Sequence, residues 1–190
     1  MEYGKFILIG EDKKLLLGIK NALVSVGHIF LGYLKEPFNI LRYMRSSSPD
    51  LVIVEVSNHL GALKQVLAVI DEELLAACIL VIDGKSNYIA DFLKETRVFT
   101  YISKPVFDEN ILQMAEISLL NYHRILNYEQ KIKKLNDTLE SRKIVEKAKW
   151  ILVEKEGMTE ADAYEAIKRK SRNNRLPMRE IAEALILTRG

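Results

Sequence analysis

Short apolar runs alternate with amphipathic segments along roughly the first 120 residues. Five apolar runs are typical of buried strands: KFILIG, IFLGYL, LVIVEV, CILVID and VFTYIS. The segments between them place apolar residues at helical spacing: KLLLGIKNALVSVG, FNILRYMRSS, GALKQVLAVIDEEL and YIADFLKET. This alternation predicts an α/β fold in which helices cover both faces of a parallel five-stranded sheet. Binding sites in such sheets form where the carboxyl ends of the strands meet the following loops.

The strand pattern stops near Glu109, and the chain then has neither Pro nor Gly until Gly157. This predicts a long helix, with a helical linker or coiled coil over residues 110–140. Apolar residues recur in it mostly at spacings of three and four: Ile111, Met114, Ile117, Leu120 (or the polar Asn121), Ile125, Tyr128, Ile132, Leu135 and Leu139. Such a seam favours a homodimer joined by a coiled coil. The alternative is one long helix that packs on its own N-terminal domain.

Two shorter helices follow Gly157. Thr159 is the expected N-cap of the first, with the acid Asp162 three residues later. A turn, NNRLP, separates this helix from MREIAEALILT. The last 50 residues or so therefore form a small three-helix domain with a thin core, which is a second reason to expect oligomerisation.

Charge is unevenly distributed along the chain, although the formal net charge is only +2. From residue 126 onward there are 15 Lys and Arg against 11 Asp and Glu, whereas the first 125 residues have 13 against 15. Between Ala166 and Glu180 the chain has six basic residues and no acid. This pattern favours a polyanionic partner. The alternative is a solvated helix face whose charges favour a helix C-terminus.

Other sequence features exclude several classes of protein. No run of about 18 apolar residues predicts a membrane span, and the charged N-terminal segment predicts a strand rather than a signal peptide. The single cysteine, Cys78, lies in an apolar run and is expected in the core of a cytoplasmic protein. His28, His59 and His123 lack the spacing of zinc ligands. Neither a catalytic arrangement nor a required cofactor is expected.

Three motifs lie at the ends of predicted strands one, three and five: ILIGED, PDLVIVEV and YISKP. In this order they resemble the receiver domains of response regulators, over roughly residues 4–122. The resemblance implies a flavodoxin-like, five-stranded parallel domain over residues 1–122. In that family two acids and a phosphate-accepting aspartate hold Mg²⁺, and a lysine contacts the phosphoryl group. Glu11 and Asp12 match the acids, and Lys104-Pro105 match the lysine and its proline.

Two positions depart from the receiver pattern. Glu55 stands where the family has the phosphate-accepting aspartate, and Asp83 stands where it has Ser or Thr. The longer Glu55 side chain reaches toward the phosphoryl position, where it can pair with Lys104 and imitate part of that group's charge. The domain is then either locked in its active state or a decayed scaffold. So many carboxylates beside one lysine should raise the pKa of one acid or recruit a cation, and Mg²⁺ at Glu11, Asp12 and Glu55 is left open.

Tyr101 lies three residues before Lys104. It matches the aromatic residue that changes rotamer in active receivers, so the resemblance implies a switch. Tyrosine is also common at strand ends, and a purely structural role is the alternative.

The C-terminal segment LESRKIVEKAKWILVEKEGMTEADAYEAIKRKSRNNRLPMREIAEALI resembles the ANTAR domain, a three-helix module of antitermination regulators. The resemblance covers about residues 138–188 of a domain predicted at 138–190. Its matches are Ser141-Arg142, Ala148-Lys149, Ile151-Leu152, Gly157, Thr159, Glu160, Ala163 and Arg179-Glu180-Ile181-Ala182. Trp150 departs from the family's usual glycine. Core packing or a dimer contact is favoured for this indole over stacking on a base.

The ANTAR resemblance implies binding to paired hairpins in nascent messenger RNA, so that a terminator cannot form. The candidate RNA-binding residues are Arg142, Lys149, Lys168, Arg169, Arg172, Asn173, Asn174, Arg175 and Arg179. The basic side chains would contact phosphates, and the two asparagines would contact base edges in a loop. Arg142 and Lys149 are two helical turns apart and are expected on one helix face.

Three alternatives remain at this stage. The chain is a protein-interaction scaffold whose receiver-like domain recruits a sensor kinase or another signalling protein, or a helix-turn-helix DNA binder, or a phosphorylation switch despite Glu55.

Overall fold

The computed structural model describes residues 3–35, 37–56, 61, 63–84, 93–94 and 96–189. They belong to two compact units, Met1–Asn127 and Tyr128–Gly190, which we call the first and second units. The division falls inside the segment predicted as a helical linker.

The first unit contains a five-stranded sheet that is parallel throughout, with strand order β2-β1-β3-β4-β5. The strands are β1 (Lys5–Ile9), β2 (Ile29–Leu34), β3 (Leu51–Val56), β4 (Ala77–Ile82) and β5 (Phe99–Ser103). Its helices are α1 (Lys13–Ser25), α2 (Pro37–Ser47) and α3 (Leu63–Glu72). The predicted α/β fold is therefore confirmed. The helix predicted at YIADFLKET lies largely outside the described residues.

The core of the first unit lies around its central strands. Every residue of β4 is buried, and β3 is buried except at Glu55, because runs of apolar residues suit strands covered on both faces. Cys78 is fully buried, as the sequence predicts. Burial, followed by the charge of Asp71, raises the pKa of its thiol well above the ordinary value.

A helix of 49 residues, α4 (Asp108–Glu156), begins in the first unit and ends in the second. Its first turns bury Ile111, Ala115 and Leu119 in the core of the first unit. Met114 and Ile125 pack partly against the same core. Ile111, Met114 and Ile125 of the predicted seam thus follow the alternative interpretation, in which the helix packs on its own domain, whereas Ile117 and Leu120 are exposed.

The second unit is completed by α5 (Glu160–Asn174) and α6 (Met178–Arg189). Thr159 caps α5 as predicted, because its hydroxyl oxygen accepts a hydrogen bond from the backbone N–H of Asp162 at 3.2 Å. The helix ends at Arg175, which adopts the left-handed conformation. The small core of this unit consists of Ala148, Leu152, Ala163, Ile167, Ile181, Ala182 and Leu185.

Among the described residues, none of the helices has the length and apolar character needed to cross a membrane.

Candidate functional site

The Glu55 carboxylate is the centre of the receiver-type site at the carboxyl ends of β1, β3 and β5. One oxygen, Oε2, accepts hydrogen bonds from the backbone N–H groups of Glu11 at 2.9 Å and Asp12 at 2.8 Å. The other, Oε1, accepts a hydrogen bond from Lys104 Nζ at 2.8 Å. The Glu55 side chain is 7% exposed. Three donors, one of them charged, thus hold a nearly buried anion.

Gly10 makes this close approach of Glu55 possible. A Cβ atom at position 10 would lie 2.6 Å from both the Cβ and the Oε2 atoms of Glu55. Distances that short are repulsive, so any larger residue would push the Glu55 side chain away from its donors.

The pKa values show that the charged forms are stabilised. Burial opposes ionisation of Glu55, but the hydrogen bonds from Lys104 and from the two backbone N–H groups outweigh it and lower its pKa. The hydrogen bond to Glu55 raises the pKa of Lys104, and the charge of Asp83 adds to this, with Asp83 Oδ1 3.6 Å from Nζ. The pKa values of Glu55 and Asp12 are both lowered, so neither is the acid whose pKa was expected to rise.

Two of the acids considered for Mg²⁺ already accept hydrogen bonds within the protein, and Mg²⁺ binding stays a prediction. Asp12 Oδ1 accepts hydrogen bonds from the backbone N–H groups of Lys14 and Leu15, both at 3.0 Å, and so caps α1. These bonds, chiefly that from Leu15, lower the pKa of Asp12. Both oxygens of Glu55 already accept hydrogen bonds. The lone pairs of Oε2 face the backbone N–H groups of Glu11 and Asp12. Within the described part of the chain, no group of three or more His, Cys, Asp or Glu has a geometry that could hold a metal ion.

Tyr101 lies on β5, beside Leu80 of β4. Its side chain is 49% exposed. The predicted switch role stays a prediction.

Most of the predicted RNA-binding residues lie on or next to α5. Arg169, Arg172, Asn173 and Arg175 are exposed. Within the described residues, the three arginines among them form no ion pair. Lys168 Nζ pairs with Glu165 at 2.8 Å, and the Asn174 side-chain amide donates to the Lys170 carbonyl at 2.9 Å.

Lys149 is placed differently from the other candidates. Its side chain is 12% exposed, and Nζ lies 2.7 Å from Glu146 Oε2 and 3.3 Å from Glu160 Oε2. These contacts raise its pKa, the hydrogen bond to Glu146 most strongly. Because Glu160 is the first residue of α5, the lysine ties α4 to α5. This geometry favours a structural role for Lys149 over the predicted RNA contact.

A groove in the second unit brings Arg142 of α4 and Arg179 of α6 together. Its volume is about 530 Å³, and it is also lined by Thr138, Ser141, Val145, Glu146, Tyr164, Pro177 and Met178. Sequence reasoning missed Tyr164. A helical projection of α5 places Tyr164 on the same flank as the basic Lys168, four residues later, and this signal could have found it.

Two apolar features of the second unit are exposed. The Trp150 side chain is 50% exposed, so the prediction that it fills the core is wrong, whereas a dimer contact stays a prediction. Along α4, at least half of each side chain is exposed in a stripe with spacings of four, three and four: Tyr128, Ile132, Leu135 and Leu139.

Comparisons with known proteins match a family model to part of the second unit and a regulatory protein to most of the chain. Residues 133–186, within the second unit, match the model of the ANTAR domain. The chain is 25% identical over 185 residues to the transcriptional regulatory protein PdtaR of Mycobacterium tuberculosis, covering 97% of this chain and 90% of that protein. It is 34% identical over 68 residues to the nitrate regulatory protein of Klebsiella oxytoca, covering 36% of this chain and 17% of that protein.

A solved structure resembles the described fold. It is the signal receiver domain of a modulated diguanylate cyclase from Desulfovibrio desulfuricans G20, with a TM-score of 0.56 and 17% identity. The similarity covers 64% of this chain and 98% of that one. At this identity it shows the fold and no more.

Proposed function

We propose that this chain, in which a receiver fold is followed by an ANTAR domain, is an RNA-binding regulator of transcription antitermination. Its second unit binds paired hairpins in nascent messenger RNA and stabilises them against a terminator. The observation that carries this proposal is a set of exposed arginines, Arg169 and Arg172 on α5 and Arg175 next to it. Among the described residues, no acid forms an ion pair with any of the three. Unpaired cations on one short helix suit contacts with phosphates. The protein works in the cytoplasm, where transcripts are made.

The test is a gel-shift titration of the full chain against a leader RNA with two hairpins. A single hairpin and duplex DNA serve as competitors. We expect the paired hairpins to bind most tightly, and affinity to fall steeply with salt as counterions are released. Equal competition by duplex DNA would exclude the proposed RNA function.

Charge-removing variants locate the contacts. Arg172→Ala should weaken binding to all hairpin sequences and reduce the salt slope by about 1, as expected for a lost phosphate contact. Arg42→Ala is the matched control, because Arg42 is an exposed arginine on α2 of the first unit. Equal effects of the two variants would show that only overall charge matters.

The protein acts as a homodimer joined through the α4 stripe of Tyr128, Ile132, Leu135 and Leu139. Four exposed apolar side chains at heptad spacing support this proposal, because an isolated helix face of this kind is costly to leave in water. Two second units would then bind two hairpins, and the second contact would gain from a high effective concentration. Sedimentation of Leu135→Asp should show monomers, with the preference for paired hairpins lost.

The receiver-type site is not phosphorylated and holds its conformation without a phosphoryl group. The support is that Glu55 already accepts hydrogen bonds from Lys104 and from the backbone N–H groups of Glu11 and Asp12. A small phosphodonor with Mg²⁺ should therefore change neither the mass of the protein nor its RNA affinity. A stable mass gain of one phosphoryl group would contradict this.

A further inference from the structure

The groove between α4, α5 and α6 is lined by both apolar and cationic side chains. Val145, Pro177 and Met178 supply apolar surface, and Arg142 and Arg179 supply the guanidinium groups. A volume of about 530 Å³ lies within the range of roughly 300–1,000 Å³ that is usual for small-molecule sites. The arginines on and next to α5 form an exposed surface, whereas this groove is concave.

Tyr164 gives the groove an aromatic surface. Its side chain is 42% exposed, and Lys168 Nζ lies 5.9 Å from the ring centroid. A half-exposed tyrosine beside a cation suits a planar, electron-rich group that stacks on the ring. An aliphatic ligand would gain nothing from the ring's geometry.

The two arginines supply polar contacts on the rim. Arg142 is exposed and, within the described residues, forms no ion pair. Arg179 donates from Nε to Glu183 Oε1 at 2.8 Å, and the charges of Asp137 and Glu140 also act on it; its guanidinium has further N–H donors that can contact a ligand. The one acid that lines the groove, Glu146, already pairs with Lys149 at 2.7 Å. Arg142 is therefore the lining cation for which no described acid provides an ion pair, and together with Tyr164 it suits an anionic, aromatic ligand.

We propose that this groove receives one unpaired base from the loop of an RNA hairpin. The base stacks on Tyr164, while Arg142 and Arg179 contact its edge or the adjoining phosphates. The proposal rests on the RNA-binding function proposed above and adds to it a site for base recognition. Arg169 and Arg172, which lie on α5, contact phosphates without regard to the base sequence.

The test uses a pool of RNA hairpins with a constant stem and a randomised loop, selected on the full-length protein and then sequenced. We expect enrichment of one base at one loop position. Replacing that base by an abasic nucleotide in the selected hairpin should weaken binding about 5- to 100-fold, the range for one stacked base. Tyr164→Ala should bind the intact and abasic hairpins equally, and Tyr164→Phe should behave as the unaltered protein.

Trp150→Ala is the matched control, since Trp150 is a half-exposed aromatic residue of the same unit that does not line the groove. It should keep the loop preference. Circular dichroism of each variant confirms that the helices are intact. Salt-sensitive binding of the pool with no preferred base, or a preference that survives Tyr164→Ala, would overturn this inference while leaving the RNA function intact. Failure to bind this pool, with binding of the two-hairpin leader RNA retained, would overturn this inference alone, and failure to bind either RNA would overturn both.

Discussion

The candidate functional charges of the two units differ in whether the protein supplies their partners. In the first, the Glu55 carboxylate is enclosed by Lys104 and two backbone N–H groups, so the protein itself supplies every partner. In the second, Arg142, Arg169 and Arg172 are exposed, and no described acid pairs with them. A satisfied charge stabilises the fold, whereas an unsatisfied one is available to a ligand. Of these candidate functional residues, those available to a ligand lie in the second unit.

The two cores differ as much as the charges. Among the described residues, 32 buried apolar residues form the core of the first unit and seven form that of the second. A small core leaves little reserve of stability. The unit proposed to bind RNA should therefore be the one more easily unfolded, and the following substitutions test the contrast.

The largest effect is expected from Leu152→Ala in the second unit. Leu152 is 3% exposed, and truncating such a residue costs about 2–5 kcal/mol, which is comparable with the whole stability of a small domain. The second unit should unfold and RNA binding should disappear. Trp150, the only tryptophan of the chain, reports this unfolding by its fluorescence in urea.

Leu80→Ala is the control in the larger core, where Leu80 is fully buried. It should lower the free energy of unfolding of the first unit but leave that unit folded. A second unit that tolerates Leu152→Ala equally well would remove the contrast between the cores.

The next largest effect is expected from Glu55→Gln. The amide NH₂ of glutamine must face either Lys104 or the two backbone N–H groups, so at least one donor loses its acceptor. At neutral pH the free energy of unfolding of the first unit should fall by about 1–3 kcal/mol. Hydrogen exchange of the β3 and β4 amides measures this.

The Glu55 effect should depend on pH in a defined direction. Its pKa in the folded protein lies below the ordinary 4.5, so its contribution is fully present above pH 4.5 and is lost as the pH falls through the folded pKa. The difference between the unaltered protein and Glu55→Gln should therefore shrink in acid. A difference that grows in acid would show that the carboxylate is not stabilised in its charged form.

Gly10→Ala should lower the stability of the first unit by about 1–3 kcal/mol, as overpacking does in a tight site. The added Cβ would lie 2.6 Å from Glu55 Oε2. Thermal unfolding followed by circular dichroism measures the loss. No loss would mean that Glu55 does not approach Gly10 as closely as described.

The smallest effect, and the only gain, is expected from Gly18→Ala. A Cβ atom there meets nothing within 4 Å, and Gly18 lies inside α1. Alanine in a helix interior is favoured over glycine by about 0.5–1 kcal/mol, so the melting temperature should rise. A fall would contradict the open space described beside Gly18.

Sequence alone was sufficient for the sheet, for the uninterrupted helix after Glu109 and for the Thr159 cap. Each follows from periodicity or from residues close together in the chain. It was also sufficient to predict the pairing of Glu55 with Lys104, because both lie at the carboxyl ends of strands in one parallel sheet.

Sequence was not sufficient where the partner is a backbone group or lies on another helix. The side chain of Asp12 caps α1, a role that the receiver resemblance did not indicate. The lowered pKa of Glu55 depends partly on two backbone N–H groups that no residue type reveals. Lys149 meets Glu160 only because α4 and α5 pack together, and the groove beside Tyr164 requires three helices at once.

Because Cys78 is buried, its reaction with thiol reagents can report opening of the first unit. It is the only cysteine, its side chain is fully buried in β4, and its thiol is held in the unreactive neutral form. A thiol-specific reagent can therefore modify the protein only when the first unit opens, and the labelling rate measures that opening. Because the second unit has no cysteine, its unfolding gives no labelling, and a second cysteine placed on its surface would carry a dye with almost no background.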